Sequence, residues 1–176
     1  VDNVGCGLSD KPQSYRYRLA RHAANLEDFI LAKDLRDIKL IVHDWGGPIG
    51  LSVATRHPDR FHSIVICNTA AYRSQRMPVL LKIARIPGVG EALVQGLNAF
   101  VIIASRTCLV HTERMKGAIR EGYFYPYQSW NNRIATLRFV QDVPMEPAHP
   151  SYGDLVELER GLVKLRQVSP DGDIGR

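Results

Sequence analysis

Residues 39–50 read Lys39-Leu-Ile-Val-His-Asp-Trp-Gly-Gly-Pro-Ile-Gly50. The run from Ile38 to Val42 is short, apolar and rich in β-branched residues, which is typical of a strand buried on both faces. Pro48 fits the first turn of a helix, because its missing N–H is one that this turn leaves unpaired. Apolar residues continue the helix as far as His57-Pro58. The pattern therefore predicts a buried strand, a very short corner and a helix, with Asp44 at the corner.

The corner points to nucleophilic chemistry. A side chain at a sharp strand-to-helix turn stands clear of the sheet edge, and the helix N-terminus points at it. An aspartate there is ionised at neutral pH and attacks an electrophilic carbon without a base, which gives a covalent ester or anhydride-like intermediate. Gly46 and Gly47 are expected to let the backbone close up. In the alternative interpretation, Asp44 only caps the helix that starts at one of these glycines.

A second buried strand is predicted from Ser63 to Cys67, followed by Asn68. A strand, a helix and a second strand in this order predict a right-handed crossover in a parallel sheet. Cys67 would then be an inert core thiol. Before the first strand, Ser14 is a candidate N-cap for a helix that extends to about Lys33.

From Tyr72 onward the sequence is helical in pattern and aromatic in part. Helices are predicted at 77–86, 91–105, 113–122, 134–141 and 155–165. The chain is therefore expected to have three regions. Residues 1–71 carry the strands and the corner, residues 72–166 are helical without a strand, and residues 167–176 form a polar tail.

The stretch Val42-His-Asp-Trp-Gly-Gly47 resembles the nucleophile elbow of the haloalkane dehalogenase and epoxide hydrolase branch of the α/β-hydrolases. The loop from Asp2 to Asp10 is also similar to that branch. The resemblance implies an α/β class: a partial α/β-hydrolase fold with an incomplete parallel sheet, an inserted helical cap at 72–166, and a core that resumes at 167. It also implies that the indole N–H of Trp45 stabilises the leaving group or an oxyanion.

Two stretches in the helical region, Leu97-Asn-Ala-Phe100 and Ser129 to Asp142, are most similar to the β-lactone decarboxylases of long-chain olefin biosynthesis. In that family a carboxylate attacks a cis-disubstituted β-lactone, and the products are a cis-alkene and carbon dioxide. The alternative is a haloalkane dehalogenase, or an epoxide hydrolase, that acts through an alkyl-enzyme ester. An alternative of another class is an inactive remnant or interaction module.

Four further side chains are candidate substrate-pocket residues: His43, Asn68, Tyr127 and Trp130. Tyr127 and Trp130 either line an apolar pocket or pack within the helical region. One dehalogenase subfamily carries its orienting carboxylate at the position of Asn68. Because this residue is an amide, the third catalytic member is expected after the next strand.

An ester on Asp44 is released by water, and water needs a base. The resemblance implies a histidine after the last strand, held by an acid, and none of the six histidines suits that role. The oxyanion-hole loop of the family is absent as well. With 176 residues that begin at Val1, the chain is expected to be a piece of a longer protein, since such folds usually need about 200–250 residues. The isolated chain is expected not to turn over.

Composition is that of a soluble globular protein, with 45% hydrophobic and 23% charged residues. The net charge is +5, and between Tyr72 and Arg138 ten Lys and Arg stand against three Glu. This excess fits a solvated helical surface, or else a docking face for an acidic partner or an anionic membrane surface. The resemblance implies that such a partner is an acyl-activating, lactone-forming protein. No nucleic-acid-binding motif accompanies it.

The three cysteines, Cys6, Cys67 and Cys108, are odd in number and far apart, which disfavours a disulfide framework and fits a reducing cytoplasm. No histidines and cysteines occur at metal-ligand spacing, so neither a metal nor another cofactor is expected.

Overall fold

A computed structural model describes residues 1–74 and 76–168 of the chain. The chain groups into two compact units. Among the described residues, the helical unit comprises Val1–Tyr17 and Arg76–Asp142, and the sheet unit comprises residues 18–74 and 143–168.

This grouping differs from the predicted regions at both ends of the chain. Residues 1–17 group with the helical unit, because Tyr17 packs in one buried cluster with Ile134 and Ala135. Residues after 142 group with the sheet unit, because Leu158 packs against Leu51. The predicted polar tail lies outside the described residues from Ser169 onward.

The sheet unit is built on two parallel strands, β1 (Ile38–His43) and β2 (Phe61–Cys67). They are joined through the helix α2 (Gly46–Arg56), so the predicted strand, corner, helix and second strand are confirmed. The register places His43 opposite Cys67. Because the strands are parallel, the residues that follow them in the chain lie at the same end of the sheet.

The helix α2 is the centre of this unit, and every residue from Gly47 to Thr55 is buried. Its apolar side chains pack with α1 (Leu19–Ala32) and α7 (Tyr152–Gly161) in two hydrophobic clusters. A Cβ atom at Gly50 would lie 2.9 Å from Val42 Cγ1, so this glycine lets the helix approach β1 closely. Each fully buried aliphatic side chain contributes about 1.5–3 kcal/mol to stability.

The expectation that the strands are buried on both faces is wrong for the described part of the chain. The burial of β1 alternates, with Val42 buried and Ile41 72% exposed. Successive side chains of a strand point to opposite faces, and here one face packs against helices while the other has no covering layer among the described residues. Val65, which pairs with Ile41, is exposed for the same reason, whereas Ile66 is exposed although it pairs with Val42 on the other face. Cys67 is exposed too, and so is not the predicted core thiol.

The first helix begins later than predicted. The N-cap of α1 is Arg18, not Ser14. Tyr15 and Tyr17 meet edge to face, with ring centroids 4.8 Å apart, and pack into the helical unit. Their packing keeps this segment outside the helix.

The helical unit contains α3 (Val79–Ala84), α4 (Ala99–Thr107), α5 (Gly117–Phe124) and α6 (Ile134–Gln141). The prediction for α6 agrees residue for residue. The predicted helix at 91–105 is broken instead into a π-helical segment (Glu91–Gly96) and α4. Asn98 separates them with a φ of +53°, a conformation that Asn tolerates better than most residues.

No strand follows Cys67 in the described structure. Among the same residues, no helix has the length and apolar content to cross a bilayer.

Arg133 organises the irregular segments of the helical unit. Its guanidinium donates hydrogen bonds to four backbone carbonyl groups, those of Gln95 (2.5 Å), Gly96 (3.2 Å), Tyr127 (2.7 Å) and Gln128 (3.1 Å). These carbonyls belong to the π-helical segment and to the turn before α6, where helical partners are missing. One side chain thus joins two segments whose backbone groups would otherwise lack these partners.

We expect Arg133→Lys to lower the free energy of unfolding by about 2–3 kcal/mol, because a lysine cannot reproduce the planar fork of donors. Urea denaturation followed by circular dichroism measures this loss. Arg138→Lys is the matched control, since the exposed Arg138 guanidinium donates to Gln141 at the surface. A change of less than about 0.5 kcal/mol is expected there. Equal losses in both variants would contradict the role given to Arg133.

Candidate active site

The corner between β1 and α2 consists of Asp44 and Trp45. Asp44 has a φ of +47°, in the left-handed region. The other non-glycine residues with positive φ in the described structure are also Asp or Asn: Asp34, Asp37, Asn68 and Asn98. These two residue types adopt that conformation most readily. Asp44 differs from the rest of the group in its place, directly after a strand and two residues before a helix, with its side chain exposed.

The backbone at the corner turns straight into the helix. The Asp44 carbonyl accepts a hydrogen bond from the Gly47 N–H (3.0 Å), and the Trp45 carbonyl accepts one from the Ile49 N–H (3.2 Å). Trp45 is the half-buried N-cap of α2 and already has a helical φ of −60°. The positive end of the helix dipole therefore begins next to Asp44.

Thr69 closes the corner from the neighbouring strand end. Its hydroxyl donates a short hydrogen bond to the Asp44 carbonyl. A Cβ atom at Gly47 would lie only 2.0 Å from Thr69 Oγ1, so glycine is required there. Apart from its chain neighbours and the backbone of α2, no atom of the described residues lies within 4 Å of a Cβ built at Gly46. Only Gly47, then, has the close approach that we predicted for both glycines.

Thr69 is not among the site residues predicted from the sequence. The available signal was its position, since it follows Asn68 at the end of β2, and the parallel pairing brings that end beside Asp44.

The Asp44 carboxylate makes no hydrogen bond to any described residue. Helix capping by an aspartate requires its oxygen to accept from an N–H in the first turn. In the described structure, the N-cap of α2 is Trp45 and not Asp44.

Two of the predicted pocket residues lie beside Asp44 in the sheet unit. His43 is the exposed last residue of β1, on the opposite face from the buried Val42. Asn68 follows β2, is exposed and has a φ of +40°. The structure thus brings His43, Asp44 and Asn68 together at the carboxyl end of the strand pair, the end where open α/β sheets bind ligands.

The other two predicted pocket residues belong to the helical unit. Tyr127 lines an open apolar groove of about 450 Å³, together with Ala118, Ile119, Gly122, Tyr123 and Pro126. Burial is the main cause that raises the pKa of the Tyr127 phenol, and Cys6 and Asp2 add to it, so the phenol remains a hydrogen-bond donor. Trp130 is 48% exposed and packs beside Gly96.

Among the described residues, the sheet unit contains two histidine–carboxylate pairs, His57–Glu27 and His62–Asp37, and the shorter of them lies away from Asp44. His57 Nε2 is 2.5 Å from Glu27 Oε1. Asp44 precedes α2 and His57 follows it, and 11 helical residues span about 16 Å. This pair therefore cannot serve an ester on Asp44. His62 and His111 pair at the surface with Asp37 and Glu113, respectively, each at 3.1 Å.

The Glu27 pair has a consequence for stability. Burial alone would raise the pKa of the Glu27 carboxyl, but the hydrogen bonds from Arg56 and His57 outweigh it and lower this pKa below the ordinary value. A carboxyl with a lowered pKa in the folded state stabilises the protein above its unfolded-state pKa of about 4.3, and the contribution is lost as the pH falls below that value.

We expect Glu27→Gln to reduce the free energy of unfolding by about 0.5–1 kcal/mol near pH 6. At about pH 3.5, below the unfolded-state pKa of about 4.3, the difference from the unaltered chain should shrink, because the stabilisation that comes from a lowered carboxyl pKa is lost as the pH falls. Urea denaturation at the two pH values measures both effects. Glu157→Gln is the control, because Glu157 is an exposed acid of the same unit. A pH-independent loss in Glu27→Gln would contradict the assignment.

Comparison with known proteins identifies the family. The model of the alpha/beta hydrolase fold family matches residues 1–142. A cis-3-alkyl-4-alkyloxetan-2-one decarboxylase of Shewanella oneidensis is 42% identical over 173 residues, which cover 95% of this chain and 54% of that protein. A haloalkane dehalogenase of Mycolicibacterium paratuberculosis is 32% identical over 157 residues, which cover 85% and 48%, respectively.

Among solved structures, the haloalkane dehalogenase DatA from Agrobacterium tumefaciens matches with a TM-score of 0.74 and 27% identity, over 97% of this chain and 58% of that one. The chain spans about half the length of the curated relatives it matches. The predicted α/β class and partial hydrolase fold are confirmed. The chain belongs to the α/β-hydrolase fold family, with β-lactone decarboxylases and haloalkane dehalogenases among its relatives.

Proposed function

We propose that Asp44 is a nucleophile and that the protein, at the full length of its relatives, decarboxylates β-lactones to cis-alkenes. The observation that carries this proposal is the exposed carboxylate of Asp44, held in a left-handed backbone between β1 and α2. The substrate class follows from the relative that is 42% identical, since an oxetan-2-one is a β-lactone. The two alkyl groups in the name of that relative favour an apolar substrate.

The chemistry needs one carboxylate and no water. Asp44 attacks the ring carbon that carries the lactone oxygen, and the bond between this carbon and that oxygen breaks. The ring oxygen leaves as part of a new carboxylate, while Asp44 becomes an ester. Loss of carbon dioxide from the new carboxylate forms the carbon–carbon double bond and expels Asp44 as a free carboxylate. In this proposal the indole of Trp45 donates to the developing negative charge.

Haloalkane dehalogenation is the second candidate, and the 32% identical relative favours it. Asp44 would attack the carbon that carries the halogen, and halide would leave with the bonding electrons toward Trp45. The alkyl ester that remains must be cleaved by water, which requires a base. An epoxide hydrolase would meet the same requirement. The two main candidates therefore differ in whether Asp44 is regenerated without water.

Further substrate contacts and partners belong to the same proposal. We propose His43 and Asn68 in the sheet unit, and Tyr127 and Trp130 in the helical unit, as substrate contacts. The basic surface between residues 72 and 138 supports docking of an acidic partner, such as a lactone-forming, acyl-activating enzyme, or of an anionic membrane surface. Three cysteines that are free in the described structure fit a cytoplasmic location.

Two substrates separate the candidates when they are given to the protein at the length of its relatives. Alkene formation from a cis-dialkyl β-lactone supports the decarboxylase, and steady-state release of bromide and butanol from 1-bromobutane supports the dehalogenase. Asp44→Asn should lower either activity by at least about 10³-fold, because the amide is a poor nucleophile. Asp59→Asn is the control, since Asp59 is an exposed acid of the same unit. If neither product forms, both candidates are contradicted.

The isolated chain offers a complementary test. With 1-bromobutane we expect intact-mass spectrometry to show one butyl group on the chain, and peptide mapping to place it on Asp44. This ester should persist, because neither histidine–carboxylate pair of the described sheet unit lies beside Asp44. Steady-state release of butanol by the isolated chain would contradict this expectation.

A further inference from the structure

The corner holds one contact that nucleophilic attack does not itself require. The Thr69 hydroxyl donates to the backbone carbonyl of Asp44, and the same carbonyl accepts the Gly47 N–H at 3.0 Å. Thr69 belongs to the segment that follows β2, whereas Asp44 and Gly47 belong to the connection between β1 and α2. The contact therefore ties together two segments that are 25 residues apart in the chain.

The ends of both strands are shaped to make this contact. The register puts His43 opposite Cys67, and the next residue in each strand, Asp44 or Asn68, has a left-handed backbone. After the left-handed residue Asn68, the chain places Thr69 against the first turn of α2. There its side chain occupies the space that a Cβ at Gly47 would need, with its Oγ1, Cγ2 and Cβ atoms 2.0, 2.7 and 2.8 Å from that position.

We propose that Thr69 is a positioning residue: its hydroxyl holds the Asp44 carbonyl and so keeps the backbone of Asp44 in the left-handed conformation that presents the carboxylate. This inference rests on the proposed nucleophilic role of Asp44. A left-handed backbone is unfavourable for residues with a side chain. Two donors on one carbonyl, one of them from another strand, oppose the relaxation of that peptide. Thr69 acts through the backbone of Asp44 and touches neither the carboxylate nor the leaving group.

The test compares Thr69→Val, which keeps the shape and removes the hydroxyl, with Thr69→Ser, which keeps the hydroxyl. The readout is the rate at which 1-bromobutane alkylates Asp44 in the 176-residue chain, followed by intact mass over a range of concentrations. We expect the maximal rate of Thr69→Val to fall about 10–100-fold, because a small displacement of a reacting group costs that much. The half-saturating concentration should stay within about twofold, and Thr69→Ser should stay within about threefold of the unaltered chain.

A matched control separates positioning from general loss of stability. Thr55 is a buried threonine of the same unit whose hydroxyl donates to the Ser52 carbonyl at 3.0 Å, away from the corner. Thr55→Val removes a comparable hydrogen bond and should leave the alkylation rate unchanged.

Gly47→Ala supplies a second route to the same contact, since the new methyl group displaces the Thr69 side chain. We expect it to slow alkylation as Thr69→Val does. The double variant should be no slower than the slower single variant, because both changes remove one interaction. If Thr69→Val does not fold in a urea titration, Gly47→Ala compared with Thr69→Ser decides the question.

The outcomes distinguish this inference from the proposal beneath it. If the unaltered chain forms no adduct on Asp44, both fail. If it forms one and Thr69→Val is equally fast, only the positioning role is overturned. The positioning role is also overturned if Thr69→Ser is as slow as Thr69→Val, since the hydroxyl would then not matter. It is overturned as well if the double variant is slowed by the product of the two single effects, since the two changes would then act on separate interactions.

Discussion

The close packing of α2 on β1 is the constraint on which the sheet unit depends. Gly50 lets the helix axis approach Val42 until no room is left for a methyl group. With the helix held so near, only two residues connect it to the strand. Such a short connection reverses direction only if one residue leaves the usual backbone regions. Asp44 is that residue, and its exposed carboxylate at a helix N-terminus is a consequence of packing a few residues away.

The same corner shows how a strained backbone is supported by its surroundings. Conformations of this kind persist when several neighbours determine them together. Here the neighbours are the Gly47 N–H and the Thr69 hydroxyl, one from the helix and one from the adjacent strand end. In the helical unit, Arg133 donates to backbone carbonyls that have no helical partner where the helices are interrupted. In both units, polar contacts across the chain stabilise backbone that regular secondary structure does not.

Residue identity alone does not make a catalytic pair. His57 and Glu27 have the composition and the distance expected of a general base and its orienting acid. They lie at the far end of α2, however, where Arg56 and His57 lower the pKa of the Glu27 carboxyl. In the proposed function, a lactone decarboxylation would regenerate the Asp44 carboxylate without water, whereas a dehalogenation would need a base.

The local pattern of the sequence determined the strand, the corner, the helix α2 and the helix α6, because hydrophobic period and proline position act over a few residues. It also placed Asp44 at the corner and, by resemblance, the chain in its family. Only the tertiary structure decided that Ile41 and Cys67 are exposed, that Asn98 breaks a helix, and that Tyr15 and Tyr17 delay α1. It alone brought Thr69 to Asp44. These features depend on contacts between segments far apart in the chain, and a pattern of neighbouring residues carries no information about such contacts.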